Sequence, residues 1–275
     1  MLPLQTARHT RRAGFKCWGG WFACGALLLA VAPAARGEES QEPPPWDPRS
    51  AYEERRMEGW LVLVHQQLLR EEHASLAEQT LELLKDHLYR IRRVVPEPAL
   101  GRLQAVPIWI ELAHPRHPCM CYHLSADWLR EHGMNPEKAG AVELANCRNF
   151  LSWTHDQPWM VLHELAHAYH HQVLGLDHEG LKACFERAAA EGRYASVLRI
   201  NGRQERAYAL TNVQEYFAEA TEAFFGTNDF YPFVRAELKQ HDPELYKLLH
   251  EAWGTSEAPR ETDRAGRGEL APDRP

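Results

Sequence analysis

Residues 158–174 read as one buried helix of about four to five turns, and that helix carries ionisable groups on one face. Met160, Val161, Leu162, Leu165, Ala166, Ala168 and Tyr169 cover most of a helical circumference. A helix that is apolar nearly all round belongs in a core. Pro158 suits its first turn, and Gly175 suits the stop beyond it. Inside it lies the string His163-Glu-Leu-Ala-His167. Histidines four residues apart stand roughly 6 Å apart along the axis and point from the same face. Such a pair can hold one zinc ion, and Glu164 beside it can take a proton from a water on that ion. Burying two imidazoles and a carboxylate with neither partners nor metal is costly, which counts against a plain core helix.

The ends of the chain read as something other than core. In residues 1–37, Arg8, Arg11, Arg12 and Lys16 precede a short apolar run from Trp21 to Val31. That is the pattern of an export signal peptide, with small residues at Ala32–Ala34 and Ala35–Gly37 offering cleavage sites. The run is short for a membrane span, so membrane attachment is expected only if the segment stays uncleaved. Residues 38–58 form a Pro-rich extended lead-in, 59–253 the folded domain, and 254–275 a polar, charged tail expected to be disordered. The chain has a formal net charge of −7, and its first 37 residues hold five basic and no acidic side chains. An acidic exported domain does not suit nucleic-acid binding.

Export also permits disulfides. Cys119, Cys121, Cys147 and Cys184 lie in the expected domain, and a bridge from Cys119 or Cys121 to Cys147 is the preferred pairing. His114, His117, Cys119, Cys121 and His123 also form a dense cluster of metal-ligand types. A second metal is the alternative there to a disulfide-tied loop.

Hydrophobic periodicity divides the domain into an α+β arrangement, a small sheet followed by a helix-rich half. Trp60–Val64, Val106–Leu112 and Ala141–Ala145 read as strands. Helices are expected over Leu76–Val94, Ser125–His132, Leu181–Glu191, Val213–Phe225, Pro232–Gln240 and Pro243–Trp253. The strand at 141–145, just upstream of the His-Glu-Leu-Ala-His helix, is a candidate for pairing with an extended peptide.

Two histidines need a third protein ligand to make a catalytic zinc site. A histidine six residues past His167 would be one solution, but position 173 is Val. His171 stands about 12 Å along the axis from His163, too far to share its ion. His170 and His171 are therefore placed near a cleft rim or in solvent. The better source is Asn212-Val-Gln-Glu215-Tyr-Phe-Ala-Glu219, which starts a helix with Thr211 or Asn212 as cap. Glu215 and Glu219 share a face, and Glu222 continues the row. Spacing leaves the third ligand open among these three. With Glu215 as ligand, Glu219 would accept the free ring N–H of a ligating histidine.

The pairing of His163-Glu-Leu-Ala-His167 with Tyr208-Ala-Leu-Thr-Asn-Val-Gln-Glu215-Tyr-Phe-Ala-Glu219 resembles the catalytic domain of lethal-factor-like (anthrax toxin type) zinc metallopeptidases. The matching part is roughly residues 158–226. The resemblance implies a zincin-like fold, one zinc per chain, Glu215 as third ligand and Tyr208 as a residue assisting catalysis. The chain is much shorter than the toxin and has nothing like its translocation-partner or substrate-docking domains. The expected activity is zinc-dependent hydrolysis of peptide bonds in a peptide or protein substrate. The alternatives are a zinc hydrolase of non-protein amides such as cell-wall peptides, and a non-catalytic exported binding domain.

Overall fold

Alternation along five short segments builds a sheet, and the helical half of the chain packs on one of its faces. The computed structural model describes residues 46–114 and 117–255. Residues 1–37, where an export segment is expected, the lead-in up to residue 45 and the tail from residue 256 lie outside the described residues.

The sheet contains β1 (Tyr52–Met57), β2 (Trp60–His65), β3 (Ile108–Ile110), β4 (Met120–Tyr122) and β5 (Val142–Leu144). Their order is β1-β2-β3-β5-β4, with β2, β3 and β5 parallel and the two edge strands antiparallel. The β1–β2 hairpin turns on Glu58 and Gly59, at φ 51° and 103°. Two central residues at positive φ give a turn whose twist matches its strands.

Register fixes the two faces. Val62, Ile108, Val142 and Tyr122 form one row, and Val64, Ile110, Leu144 and Met120 another. Both rows look into the main core. The intervening row, Leu63, Trp109, Glu143 and Cys121, looks the other way.

The helices are α1 (Ala74–Val94), α2 (Ala99–Gln104), α3 (Ala126–Glu131), α4 (Cys147–Trp153), α5 (Met160–Tyr169), α6 (Glu179–Ala190), α7 (Val213–Phe225), α8 (Arg235–His241) and α9 (Pro243–Ala252). A two-stranded ribbon, β6 (Val197–Leu198) and β7 (Gln204–Glu205), lies between α6 and α7. Helix α5 packs against α1, β4 and α7. Its last turn widens to π geometry over His170–Leu174, and Gly175 ends it at φ 84°. Trp253, fully buried, stacks on Tyr169 at 4.2 Å and on Phe217 at 5.7 Å, tying the end of the domain to both central helices. No described helix is long and apolar enough to cross a membrane.

The architecture is α+β, as the periodicity implies, with α1, α2 and α3 interposed between strands of the sheet. Three expectations need correcting. The lead-in is not merely extended, because its end is β1, paired residue for residue with β2. The strand near 141–145 is interior to the sheet, bonded to β3 on one side and β4 on the other. It cannot accept a peptide, and β4 is the edge. No disulfide joins any of the described cysteines. Cys119 at the bend before β4 turns its Sγ to Met160 Sδ at 3.4 Å. Cys121 lies in the row on the opposite face of the sheet, and Cys147 Sγ donates to the Glu111 carbonyl at 3.0 Å. The thiols face different neighbours, so the expected bridge to Cys147 is not made.

Candidate metal centre

Helices α5 and α7 bring the sequence-selected residues together. The pair His163 and His167 projects from one face of α5, with ring centroids 4.8 Å apart and planes at 83°. Helix α7 starts where Asn212 accepts a hydrogen bond from the Glu215 backbone N–H at 2.8 Å. An Asn cap satisfies a donor that a helix start leaves open. That cap sets Glu215 in the first turn of α7, facing α5.

Glu215 Oε2 lies 3.0 Å from His163 Nε2 and 3.5 Å from His167 Nε2. One donor atom from each of the three residues falls within 4.8 Å of the others. Zinc bonds of about 2.0–2.1 Å in a tetrahedron put neighbouring donors roughly 3.3 Å apart. The two measured separations bracket that value. Two imidazole nitrogens and one carboxylate oxygen are a donor set that zinc accepts, and a fourth position is left for water. The residues therefore fit the ion.

The second nitrogen of His163 is also engaged. Nδ1 lies 2.7 Å from Glu222 Oε1, with both groups buried. Glu219 is buried in the same neighbourhood, one donor atom of it lying within 4.8 Å of His163 and Glu222. The orienting bond to His163 is made by Glu222, one turn beyond Glu219 along α7.

The electrostatics follow from this packing. Burial alone would push the His163 pKa down, but its hydrogen bonds to Glu215 and Glu222 outweigh burial and hold it well above the usual imidazole value. Burial would raise the Glu215 carboxyl, yet His167 and His163 pull it well below the carboxylate range. Burial raises the Glu222 carboxyl, against the opposing pull of His163. Glu215 and Glu222 are thus not equivalent. Glu215 is held as an anion, while Glu222 sits where a carboxyl is reluctant to ionise.

Tyr208 lies in the turn Tyr208–Leu210 that leads into α7. Burial, then the hydrogen-bonded Glu215 carboxylate, drive its phenol pKa far above normal, so it stays a proton donor. Glu164 also acts on that phenol through its charge. Glu164 Oε2 accepts the backbone N–H of Tyr122 on edge strand β4 at 2.9 Å. The string on α5 is thereby fastened to the sheet edge.

Sequence reasoning missed Tyr122 altogether, because a backbone donor leaves no side-chain signature. Its side chain contributes too: the hydroxyl lies 2.8 Å from His171 Nδ1 and accepts from Gln172 at 3.0 Å. His171 is thus tied to β4. His170 is not at a rim but fully buried against Phe217, with ring centroids 5.4 Å apart. Burial pushes its pKa down to about 4, so it stays neutral.

No protein-family model, curated protein or solved structure matches this chain. The functional reading therefore rests on the site itself.

Proposed function

We propose that the chain is an exported zinc-dependent peptidase with a zincin-like fold, akin to the lethal-factor-like metallopeptidases. Support comes first from the convergence of His163, His167 and Glu215, from two helices, at spacings that suit one zinc ion. The basic and apolar pattern of residues 1–37 supports export.

The ion, when bound, would acidify a coordinated water and polarise a carbonyl. His163, His167 and Glu215 would hold it. Glu164, anchored through the Tyr122 N–H, takes a proton and returns it to the leaving amine. The Tyr208 hydroxyl, kept protonated, donates to the oxygen that gains charge as the carbonyl is attacked. Glu222 fixes the ring orientation of His163 through Nδ1. An extended peptide would lie along β4, the sheet edge that carries the anchor of Glu164.

Two variants test the reading against a mixed peptide library. Glu164→Gln should keep the zinc at this site and lose about 10²-fold or more in cleavage rate. Glu215→Ala should lose that zinc as well. Full activity in Glu164→Gln would sink the proposal, as would wild-type protein that folds and binds no zinc through His163 and His167.

A further inference from the structure

A second group of metal-ligand side chains lies on the opposite face of the sheet from α5. Cys121 on β4 and Glu143 on β5 are direct cross-strand partners. His123 follows Cys121 by two residues, so the alternation of the strand carries it on to the same face. All three side chains are buried. Cys121 Sγ lies 3.6 Å from His123 Nε2, and His123 Nε2 lies 2.5 Å from Glu143 Oε2. One donor atom from each falls within 4.8 Å of the others.

The arrangement around Glu143 matters. Its two oxygens are divided: Oε1 takes the Lys138 ammonium at 2.5 Å, while Oε2 faces His123. Lys138 also bonds Glu111 Oε1 at 2.5 Å, and the Tyr52 hydroxyl donates to that same oxygen. With His123 neutral, the two carboxylates and one ammonium leave this buried region one negative charge in excess. A divalent ion together with a Cys121 thiolate would bring the sum to zero. His117 supplies a further donor nearby, its ring 5.8 Å from that of His123.

We propose that Cys121, His123 and Glu143 form a second, structural metal site for a zinc-like divalent cation, with His117 as the candidate fourth ligand. Zinc accepts sulfur, nitrogen and oxygen donors together. For zinc bonds of about 2.3 Å to sulfur and about 2.1 Å to nitrogen, a tetrahedron places those donors roughly 3.6 Å apart. The Cys121–His123 separation has that value. The His123–Glu143 pair is closer, because a hydrogen bond joins them. On binding, the neutral His123 changes tautomer, its proton passing from Nε2 to Nδ1, the Cys121 thiol releases its proton to solvent, and the His123–Glu143 pair opens by somewhat under 1 Å. Cys119 takes no part, since its sulfur faces Met160 on the α5 side. The ion would pin β4 to β5 and so steady the sheet edge from behind. This inference does not depend on the chemistry proposed for α5.

The two sites differ in one readable way: the α5 site contains no sulfur. Full-length protein stripped of metal and titrated with Co²⁺ distinguishes them. Two ions per chain are expected, with a near-ultraviolet sulfur-to-cobalt charge-transfer band arising from one of them. Cys121→Ser should lose the band and one ion, while His163→Ala should keep the band and lose the other ion. Glu143→Gln should keep the band at saturation with about tenfold or more weaker binding, a second route if Cys121→Ser folds poorly. Wild-type protein that binds Co²⁺ without the band overturns the proposal, as does a band that survives in Cys121→Ser.

Discussion

His163 and Glu222 meet at 2.7 Å across the packed faces of α5 and α7, both buried, and the same imidazole turns its other nitrogen to Glu215 at 3.0 Å. One ring is therefore held at both ends by a single helix. With Nδ1 bound to a carboxylate, Nε2 is the nitrogen available to a metal. Replacing the Glu222 carboxyl should loosen that hold. Glu222→Gln is expected to weaken zinc binding at the α5 site by about 10- to 100-fold, measured by competition with a chelator. Glu219→Gln should weaken it much less. The reverse order would make Glu219, not Glu222, the carboxyl that orients the metal-binding histidines.

Tyr208 gives a different kind of test, because it lies beside the site without belonging to the three metal-fitting residues. Burial and the Glu215 carboxylate keep its phenol protonated throughout the working pH range. If it stabilises a developing negative oxygen, Tyr208→Phe should lower turnover by about 10- to 100-fold and leave metal content unchanged. A rate equal to wild type would reduce it to a packing residue of the turn before α7.

Much of this was legible in the sequence. The interval Val213–Phe225 was read as a helix, and α7 has those bounds because Asn212 caps it and the apolar face that follows is continuous. The grouping of His163, His167 and Glu215 followed from helical spacing together with a family resemblance. What escaped was tertiary. Strand β4 occupies only Met120–Tyr122, too short to show alternation against its Cys- and His-rich surroundings. Spacing alone leaves Glu222 among three candidate ligands, since nothing local to α7 shows that it will meet the second nitrogen of His163 instead. Glu143 read as an ordinary strand residue, because its partners Lys138 and His123 reach it only through the fold of the 123–141 segment.

His87 makes stability depend on acid in a calculable direction. It lies on the buried face of α1 against Phe150, ring centroids 5.7 Å apart. Burial, assisted by the Arg90 charge, pushes its pKa down to about 3. The unfolded chain takes up a proton near pH 6.5, whereas the folded chain resists until about pH 3. The stabilising difference is thus complete above about pH 6.5 and is lost as the pH falls through that window, at up to about 1.4 kcal/mol per pH unit. Between pH 7 and pH 4.5, wild type should lose about 2 kcal/mol more folding free energy than His87→Leu in urea titrations. Parallel losses would show that this imidazole is not the responsible group.

The approach of α5 to α7 rests on a glycine. Gly226 ends α7, and a methyl group built on it would overlap the indole of Trp159, the residue that precedes α5. The obstacle is a rigid ring rather than the end of a flexible chain, so the neighbour cannot simply swing aside. Gly226→Ala should therefore push the start of α5 away from the end of α7, at a cost of about 1–3 kcal/mol. The same displacement separates His163 from Glu222, so zinc affinity at the α5 site should fall along with the thermal midpoint. Trimming the ring relieves the overlap: Trp159→Ala in the Gly226→Ala background should recover metal affinity relative to Gly226→Ala alone. Strict additivity of the two substitutions, measured as a double-mutant cycle on zinc binding, would mean that the Gly226–Trp159 contact does not set the spacing of the site.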